Sequence, residues 1–323
     1  MSGRILAGFL AVLLMMVAGA AEPARVIQAE EILKKIEQGQ PVEYDNVVVV
    51  GDLNLSGLDL SRVAVKQSNL EKSIGLPDYG VVVTSPISIS NSLIKGTLSL
   101  NKTVFQDLTY FYGTRFEGPV FLIGSMFSHN ANFMLAEFNQ SANFLSAQFN
   151  EDVYFWGAKF NQTARFWNAQ FNQTVSFLSA QLNQTADFQS VQFEQEAYFD
   201  YTNFLDVFFD YSQFSEDVFF NNAQIAGNLS LFNTKYNTLN IRWSSIHDLA
   251  YDDTAYHLLI QNFNKLGFGD DAKECQYTYR CKHRVELWRQ NKFDGWLSTF
   301  WPGPATATAC VRCGPWAGQR SSF

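Results

Sequence analysis

The sequence predicts a mainly β chain wound as a solenoid and closed at each end by short helices. Three observations predict it. Phe recurs at 127, 133, 138, 144, 149, 155, 160, 166, 171 and 177, and the series continues through Leu182, Phe188, Phe193, Phe199 and Phe204. Its steps alternate between five and six, so the full period is eleven, and 23 of the 30 Phe fall between residues 105 and 220. A small residue stands two places before many of them, as in Ala142/Phe144, Ala147/Phe149, Ala158/Phe160, Ala164/Phe166 and Ala169/Phe171. The residues between are Asn, Gln, Ser, Lys, Arg and Asp.

Eleven residues also make three helical turns. At 100° per residue, however, a step of five carries the next Phe about 140° round a helix, so successive Phe would face different sides. In a strand, residues two apart share a face. Each Ala and its Phe then point inward together, and the small and large side chains stack in layers. Strands that turn every five residues do not lie flat. They wind into coils, each hydrogen-bonded to the next. The inward set is Phe133, Phe138, Phe144, Phe149, Phe155, Phe160, Phe166, Phe171, Phe177, Phe188, Phe193 and Phe199.

The elements follow in order. Residues 1–21 read as a secretory signal peptide: Arg4, then the apolar run Ile5 to Val17, then the small residues Ala18-Gly19-Ala20. An uncleaved membrane anchor is the rival reading, because the run approaches the length that spans a bilayer. Residues 22–44 form the N-terminal cap, with helical spacing from Ile27 to Gln38. The solenoid covers 45–246, about nine coils and a rod of ~45 Å, with early aliphatic coils at 47–60 and 87–100 and closing coils at 226–243. Gly51, Gly57 and Gly96 are placed at tight corners, and residues 68–82, which break the pattern, at a loop. Residues 247–296 form the C-terminal helical segment: Thr254 to Leu266, a stop at Gly267, and a second helix from Asp271 to Trp288. Residues 297–323 form an irregular tail whose composition changes abruptly after Phe300. It reads either as a natural flexible tail or as the product of a shifted reading frame.

The unit A-x-F-x-x, with Phe or Leu as its central residue, resembles the pentapeptide repeat. The resemblance implies a right-handed quadrilateral β-helix with four five-residue faces per coil. Here alternate units carry one extra residue, as in F-N-Q-T-A-x-F, which gives about 22 residues per coil. The Asn at 139, 150, 161, 172 and 183 then mark alternate corners, where Asn tolerates turn conformations. The stretch 264–300, with L-G, D-A and Y-x-Y-R, resembles the segment that follows the solenoid in larger pentapeptide-repeat membrane proteins with a channel-like domain. No residue after Phe300 matches a pore helix.

The net charge is -8, and from 116 to 220 there are twelve Asp or Glu against two Lys or Arg. This argues against nucleic acid as a ligand. The acidic residues read as a solvated face that keeps the rod soluble. The rival readings are mimicry of DNA and an interaction surface made of Glu194, Glu196, Asp200, Asp206 and Asp210. Aromatics beside the inward positions, Tyr154, Trp156, Trp167, Tyr198 and Phe208, should face outward. Trp156 and Trp167, eleven apart, would then lie on opposite faces. They suit either stacking between coils or a partner surface. Seven N-x-[ST] triplets occur, at Asn54, Asn101, Asn139, Asn161, Asn172, Asn183 and Asn228. They read as corner chemistry or as glycosylation sites, above all Asn139, Asn161, Asn172 and Asn183.

Cys275, Cys281, Cys310 and Cys313 lie beyond the Phe-rich region. Export would permit a disulfide there, and the lone C-x-x-C is weak evidence for zinc or redox chemistry. No catalytic, cofactor or metal constellation is expected, and no enzyme. The expected function is that of an exported, non-catalytic scaffold for an unidentified protein or membrane partner, able to dimerise end to end or through a cap. The alternatives are the extracytoplasmic domain of a channel-like membrane protein without its pore, and an acidic DNA mimic.

Overall fold

In the computed structural model, residues 25–290 are described. Residues 1–21, read above as a signal peptide, and residues 297–323, with Cys310 and Cys313, lie outside them. The chain is a four-sided β-solenoid of parallel strands. We number its sides 1 to 4 in the order in which the chain meets them from Val42 onward. Face 1 is a nine-stranded sheet whose strands include Val42–Asp45, Ala131–Asn132, Val153–Tyr154 and Leu239–Asn240. Face 4 is an eight-stranded sheet that includes Gln148–Phe149 and Gln170–Phe171. Faces 2 and 3 include Glu137–Phe138 and Ala142–Asn143 respectively. They belong to one fifteen-stranded sheet because three late strands, beginning with Gln181–Asp187, run around the corner between them. Nine strands at the ~4.8 Å spacing of a sheet make a rod of about 40 Å.

The sequence period of eleven has a geometric cause. All twelve inward Phe are essentially inaccessible to solvent. Along one face the rings stack nearly parallel from coil to coil, as Phe144 on Phe166 at 4.8 Å and Phe166 on Phe188 at 4.9 Å. Across the core, rings of faces 1 and 3 meet edge to face. Phe133–Phe144, Phe144–Phe155, Phe155–Phe166 and Phe166–Phe177 lie 5.6, 5.5, 5.5 and 5.4 Å apart. Each step of eleven therefore crosses the rod, and two steps return one coil higher. Both arrangements are ones that the aromatic quadrupole favours.

The corners differ from the expectation. The wide, six-residue corners hold Asn139, Asn150, Asn161, Asn172 and Asn183, and none of these five has a left-handed φ. Left-handed residues sit instead at the tight corners, again eleven apart for most of the rod: Gly113, Gly124, Leu135, Ser146, Gly157, Asn168, Ser179, Ser190 and Tyr201. In each repeat the N–H of the small residue bonds the carbonyl of the preceding Phe, as Ala147 N to Phe144 O at 2.9 Å. The third residue of that four-residue turn is left-handed, which is the type II pattern. Gly51 does have a left-handed φ, but Gly57 and Gly96 do not. At Gly96 a Cβ would lie 2.1 Å from the Gly51 carbonyl oxygen, so close approach of the preceding coil is what requires glycine there.

Leu and Tyr bear a steric penalty in the left-handed region that Gly does not. Tyr201, with φ 56° and a mostly exposed ring, is the clearest case. Replacing it with Gly should stabilise the rod by about 1 kcal/mol, read as a rise in the denaturant midpoint at unchanged slope. A fall in the midpoint would mean that the ring's packing outweighs its backbone strain.

The N-terminal cap begins with a strand rather than a helix. Arg25–Gln28 pairs in parallel with Val47–Val50, and helix α1, Ala29–Glu37, follows. Ile27 and Gln28, expected in the helix, belong to the strand because that pairing covers the open edge of the first coil. Ala29, Ile32 and Ile36 of α1 are buried against the core. Residues 68–82 are not a loop. Helix α2, Asn69–Ser73, carries a capping box between Ser68 and Glu71, and Tyr79–Val83 is a strand of face 4. The capping signature S-x-x-E is written in the sequence at Ser68 and Glu71.

At the far end, strand Ile246–Leu249 still pairs with the solenoid. Helices α3, Asp253–Lys265, and α4, Gly269–Arg289, follow. Asn262 of α3 takes the place of a further strand: its Oδ1 accepts the Leu239 N–H at 3.0 Å and its Nδ2 donates to the Leu239 carbonyl at 2.8 Å. Asp271 of α4 accepts from Arg242 Nε at 2.7 Å and from the Trp243 N–H at 2.9 Å. No helix among the described residues is long and apolar enough to cross a membrane.

Cys275 and Cys281, both buried on α4, are not bonded to each other. Burial pushes the Cys275 thiol up to about 12. Thiolate is the reactive form, so iodoacetamide at pH 8 should leave Cys275 unmodified in the native protein and alkylate it after denaturation. Rapid native labelling would show that α4 is not docked as described.

Candidate interaction surface

The exterior is divided by face. The outward residues of face 2 run Arg115, Glu137, Lys159, Gln181, and those of face 4 run Gln148, Gln170, Gln192, Gln213. These two sides are polar ladders. The outward residues of faces 1 and 3 include most of the large apolar ones. Face 1 carries Tyr110, Tyr154, Trp156, Tyr198 and Phe219 on or beside its strands. Face 3 carries Trp167, Phe208 and Phe232, with Tyr211 at its tight corner. Trp156 and Trp167 thus lie on opposite sides. Trp167 is exposed, as are Tyr110, Tyr201, Tyr211 and Phe232, whereas Tyr154, Trp156, Tyr198 and Phe208 are half-buried. Part of that burial is stacking between coils: Tyr198 lies on Phe219 with ring centroids 5.0 Å apart.

Several of the carboxylates do more than face solvent. Asp200 accepts the Asn221 N–H at 2.7 Å, Asp206 the Asn228 N–H at 2.7 Å, and Asp210 the Phe232 N–H at 2.9 Å. Each donor lies one coil further on. Glu194 accepts from the Ser215 hydroxyl at 3.1 Å in the same sense, and Asp152 accepts the Thr174 N–H at 3.1 Å. These carboxylates staple successive coils where the backbone leaves an N–H unpaired by strand hydrogen bonds. Glu196 is half-buried on the corner between faces 4 and 1. That corner also carries Glu151, Asp152, Glu194, Glu216 and Asp217, so the negative charge gathers along one edge of the rod. On face 3, burial raises the Asp187 carboxyl above its ordinary range, against the Gln189 N–H and the nearby Arg165, which lower it.

The wide-corner asparagines also join coils. Asn161 donates to Asn139 at 2.9 Å, Asn183 to Asn161 at 2.9 Å and Asn172 to Asn150 at 3.0 Å. Each is one coil from its acceptor, so the Nδ2 atoms of Asn161, Asn172 and Asn183 are engaged in ladders. These ladders account for Asn at 22-residue intervals, a length that periodicity alone had assigned to turn conformation.

At the C-terminal end Tyr251, Asp253 and His283 form a cluster. The Tyr251 hydroxyl donates to Asp253 and lies 2.7 Å from His283 Nδ1. Burial and the Asp253 carboxylate raise the Tyr251 phenol. Asp253 bears a desolvation penalty, yet the Tyr251 hydroxyl and the His283 ring hold its carboxyl below the usual range. A carboxylate depressed in the folded state stabilises the fold at neutral pH, and this is lost as acid protonates it. The cluster thus ties α4 to the end of the solenoid. Among the described residues no three His, Cys, Asp or Glu side chains gather to hold a metal ion.

Residues 122–170 match the family model described as Pentapeptide repeats (9 copies). No curated protein and no solved structure matches the chain. The match falls on the coils with the most regular Ala-x-Phe spacing, and the same four-sided parallel winding continues on both sides of it. The chain folds as a β-solenoid of parallel strands, an architecture consistent with a pentapeptide-repeat β-helix, and the match to that repeat covers residues 122–170.

Proposed function

We propose that this protein is an exported, non-catalytic scaffold whose aromatic faces 1 and 3 dock another macromolecule. The observation that carries the reading is the division of the exterior: polar ladders on faces 2 and 4, large apolar side chains on faces 1 and 3. A rod that only had to stay soluble would have no reason to hold Trp167, Tyr211 and Phe232 in water on one side. Aromatic side chains on a rigid surface offer contact area at little cost in conformational entropy. Export rests on the targeting pattern of residues 1–21, and fractionation of cells that make the full chain should recover it outside the cytoplasm.

The test is a triple substitution, Trp167→Ser, Tyr211→Ser and Phe232→Ser. The variant should melt as the parent does, since the core is untouched. In its native cells it should lose the high-mass complex that the parent forms on native gels. A parent that runs as a free monomer under all conditions contradicts the docking role.

A second reading, the extracytoplasmic part of a channel-like membrane protein, draws on the basic C-terminal half of α4, with Arg280, Lys282, Arg284 and Arg289. Its test is whether the native gene continues into apolar spans after codon 300.

A further inference from the structure

The excursion between the first two coils is a feature that the solenoid does not need. Elsewhere five or six residues complete face 4. Here the chain leaves face 3 after Leu55, forms strand Arg62–Ala64 antiparallel to Tyr79–Val83, adds α2 between them, and only then resumes winding along face 4. The excursion is anchored by a buried ion pair: Lys102 Nζ lies 2.9 Å from Glu71 Oε1, and both side chains are almost wholly buried. The second Glu71 oxygen accepts the Ser68 N–H at 2.7 Å. Such an anchor holds the excursion away from the corner formed by residues 54–56 and 99–102. A cleft of about 300 Å³ is left between them.

The chemistry of the cleft is one-sided. Its apolar wall is Leu55, Leu58, Leu76, Pro77 and Val81, and no Asp or Glu lines it. Asn54 spends its side-chain oxygen on the Ser56 N–H at 2.9 Å, and Asn101 spends its own on the Ile123 N–H at 2.9 Å. What each amide has left is an NH₂ donor. The Ser56 hydroxyl is a further polar group on the lining. The Lys102 charge is balanced by Glu71. The Arg62 guanidinium lies over the Tyr79 ring, 4.7 Å from its centroid, and no carboxylate among the described residues pairs with it. In a chain of net charge -8, the cleft is thus a donor-rich, cationic spot with an apolar floor.

We propose that this cleft is a binding site for a small amphiphilic oxyanion, a carboxylate or phosphate monoester with a compact apolar body. Arg62 and the NH₂ groups of Asn54 and Asn101 recognise the head, and Leu55, Leu58 and Leu76 receive the body. A volume of about 300 Å³ is at the small end of the range for ligand sites, so the ligand has about the size of one substituted ring. A guanidinium seated over an aromatic ring is suited to two-point recognition of such a head.

The experiment is isothermal titration of the full chain with benzoate, phenyl phosphate, inorganic phosphate and benzylamine, each run separately. Benzoate or phenyl phosphate should bind saturably at one site. Inorganic phosphate should bind at least tenfold more weakly than phenyl phosphate, and benzylamine should give no binding. Whichever of benzoate and phenyl phosphate binds tighter identifies the head. Arg62→Gln should weaken the tighter probe at least tenfold. Asn101→Asp keeps the acceptor for the Ile123 N–H but replaces the NH₂ donor with a charged oxygen, and it should weaken that probe similarly without loss of the parental melting temperature. The proposal is overturned if neither aromatic anion binds, if benzylamine binds as well as benzoate, if inorganic phosphate matches phenyl phosphate, or if both variants bind as the parent does.

Discussion

Phe166→Ala should lower the stability of the solenoid by about 3–5 kcal/mol, among the largest effects of any single substitution in the core. The ring sits at the middle of the rod. It stacks on Phe144 at 4.8 Å and on Phe188 at 4.9 Å, and it meets Phe155 and Phe177 edge to face at 5.5 and 5.4 Å. Removing it opens a cavity that its neighbours cannot close, since each ring is held in register by the coil above and below. The backbone carbonyl of Phe166 also accepts the Ala169 N–H at 2.8 Å, and that turn survives the substitution. The loss is therefore one of packing and not of corner geometry. In a chain of this size the shift corresponds to a fall in melting temperature of roughly 6–20 °C. Because a solenoid couples only neighbouring coils, the unfolding transition should also broaden or split near the middle of the rod. A melting temperature unchanged within error would show that Phe166 does not face inward.

The second large effect is at the excursion. Lys102→Met leaves the Glu71 carboxylate buried without its counter-charge, a change that costs about 3–5 kcal/mol at comparable sites. The excursion is a local element, so the penalty is limited by the free energy of opening it. The expected result is a modest change in global melting with a large rise in protease cleavage within residues 61–78. Replacing both partners, Lys102→Met with Glu71→Leu, should restore most of the protection, because no charge is then left unpaired. Equal cleavage in parent and single variant would mean that the pair does not hold the excursion down. Gly124 is part of the same arrangement: a Cβ there would lie 2.5 Å from Glu71 Oε1, so the left-handed corner residue also makes room for the pair.

The solenoid was legible because its signal is redundant. A ring at each inward position and a small residue two places earlier write the same winding again and again from Phe127 to Phe204, and a strand period of two is the only simple geometry that satisfies both. The zigzag of rings across the core was implicit in the step of eleven. What remained hidden depends on contacts between residues 20 or more apart. Nothing local distinguishes an aspartate in solvent from Asp206, whose partner Asn228 lies 22 residues on. The tight corners were missed for a different reason: their left-handed residue varies among Gly, Ser, Asn, Leu and Tyr, so no single residue type marks it. The wide corners displayed a conspicuous Asn and drew the turn assignment to themselves. At 68–82 the loss of the Phe period looked like the loss of structure, although Ser68 and Glu71 spelled a helix start. The cleft beside that excursion had no sequence signal at all. It exists only because Arg62, Asn54 and Asn101 are brought together by the winding.

The division of the exterior into aromatic and polar faces carries the functional reading, and crosslinking tests it most directly. A photoreactive amino acid is placed singly at Trp156 or Tyr110 on face 1, at Trp167 or Phe232 on face 3, and at Lys159 on face 2 or Gln192 on face 4. The full chain is then irradiated in the cells that make it. The account predicts a discrete crosslinked product from positions on faces 1 and 3, and none from Lys159 or Gln192. Crosslinks of equal yield from all four faces, or from none, would contradict it.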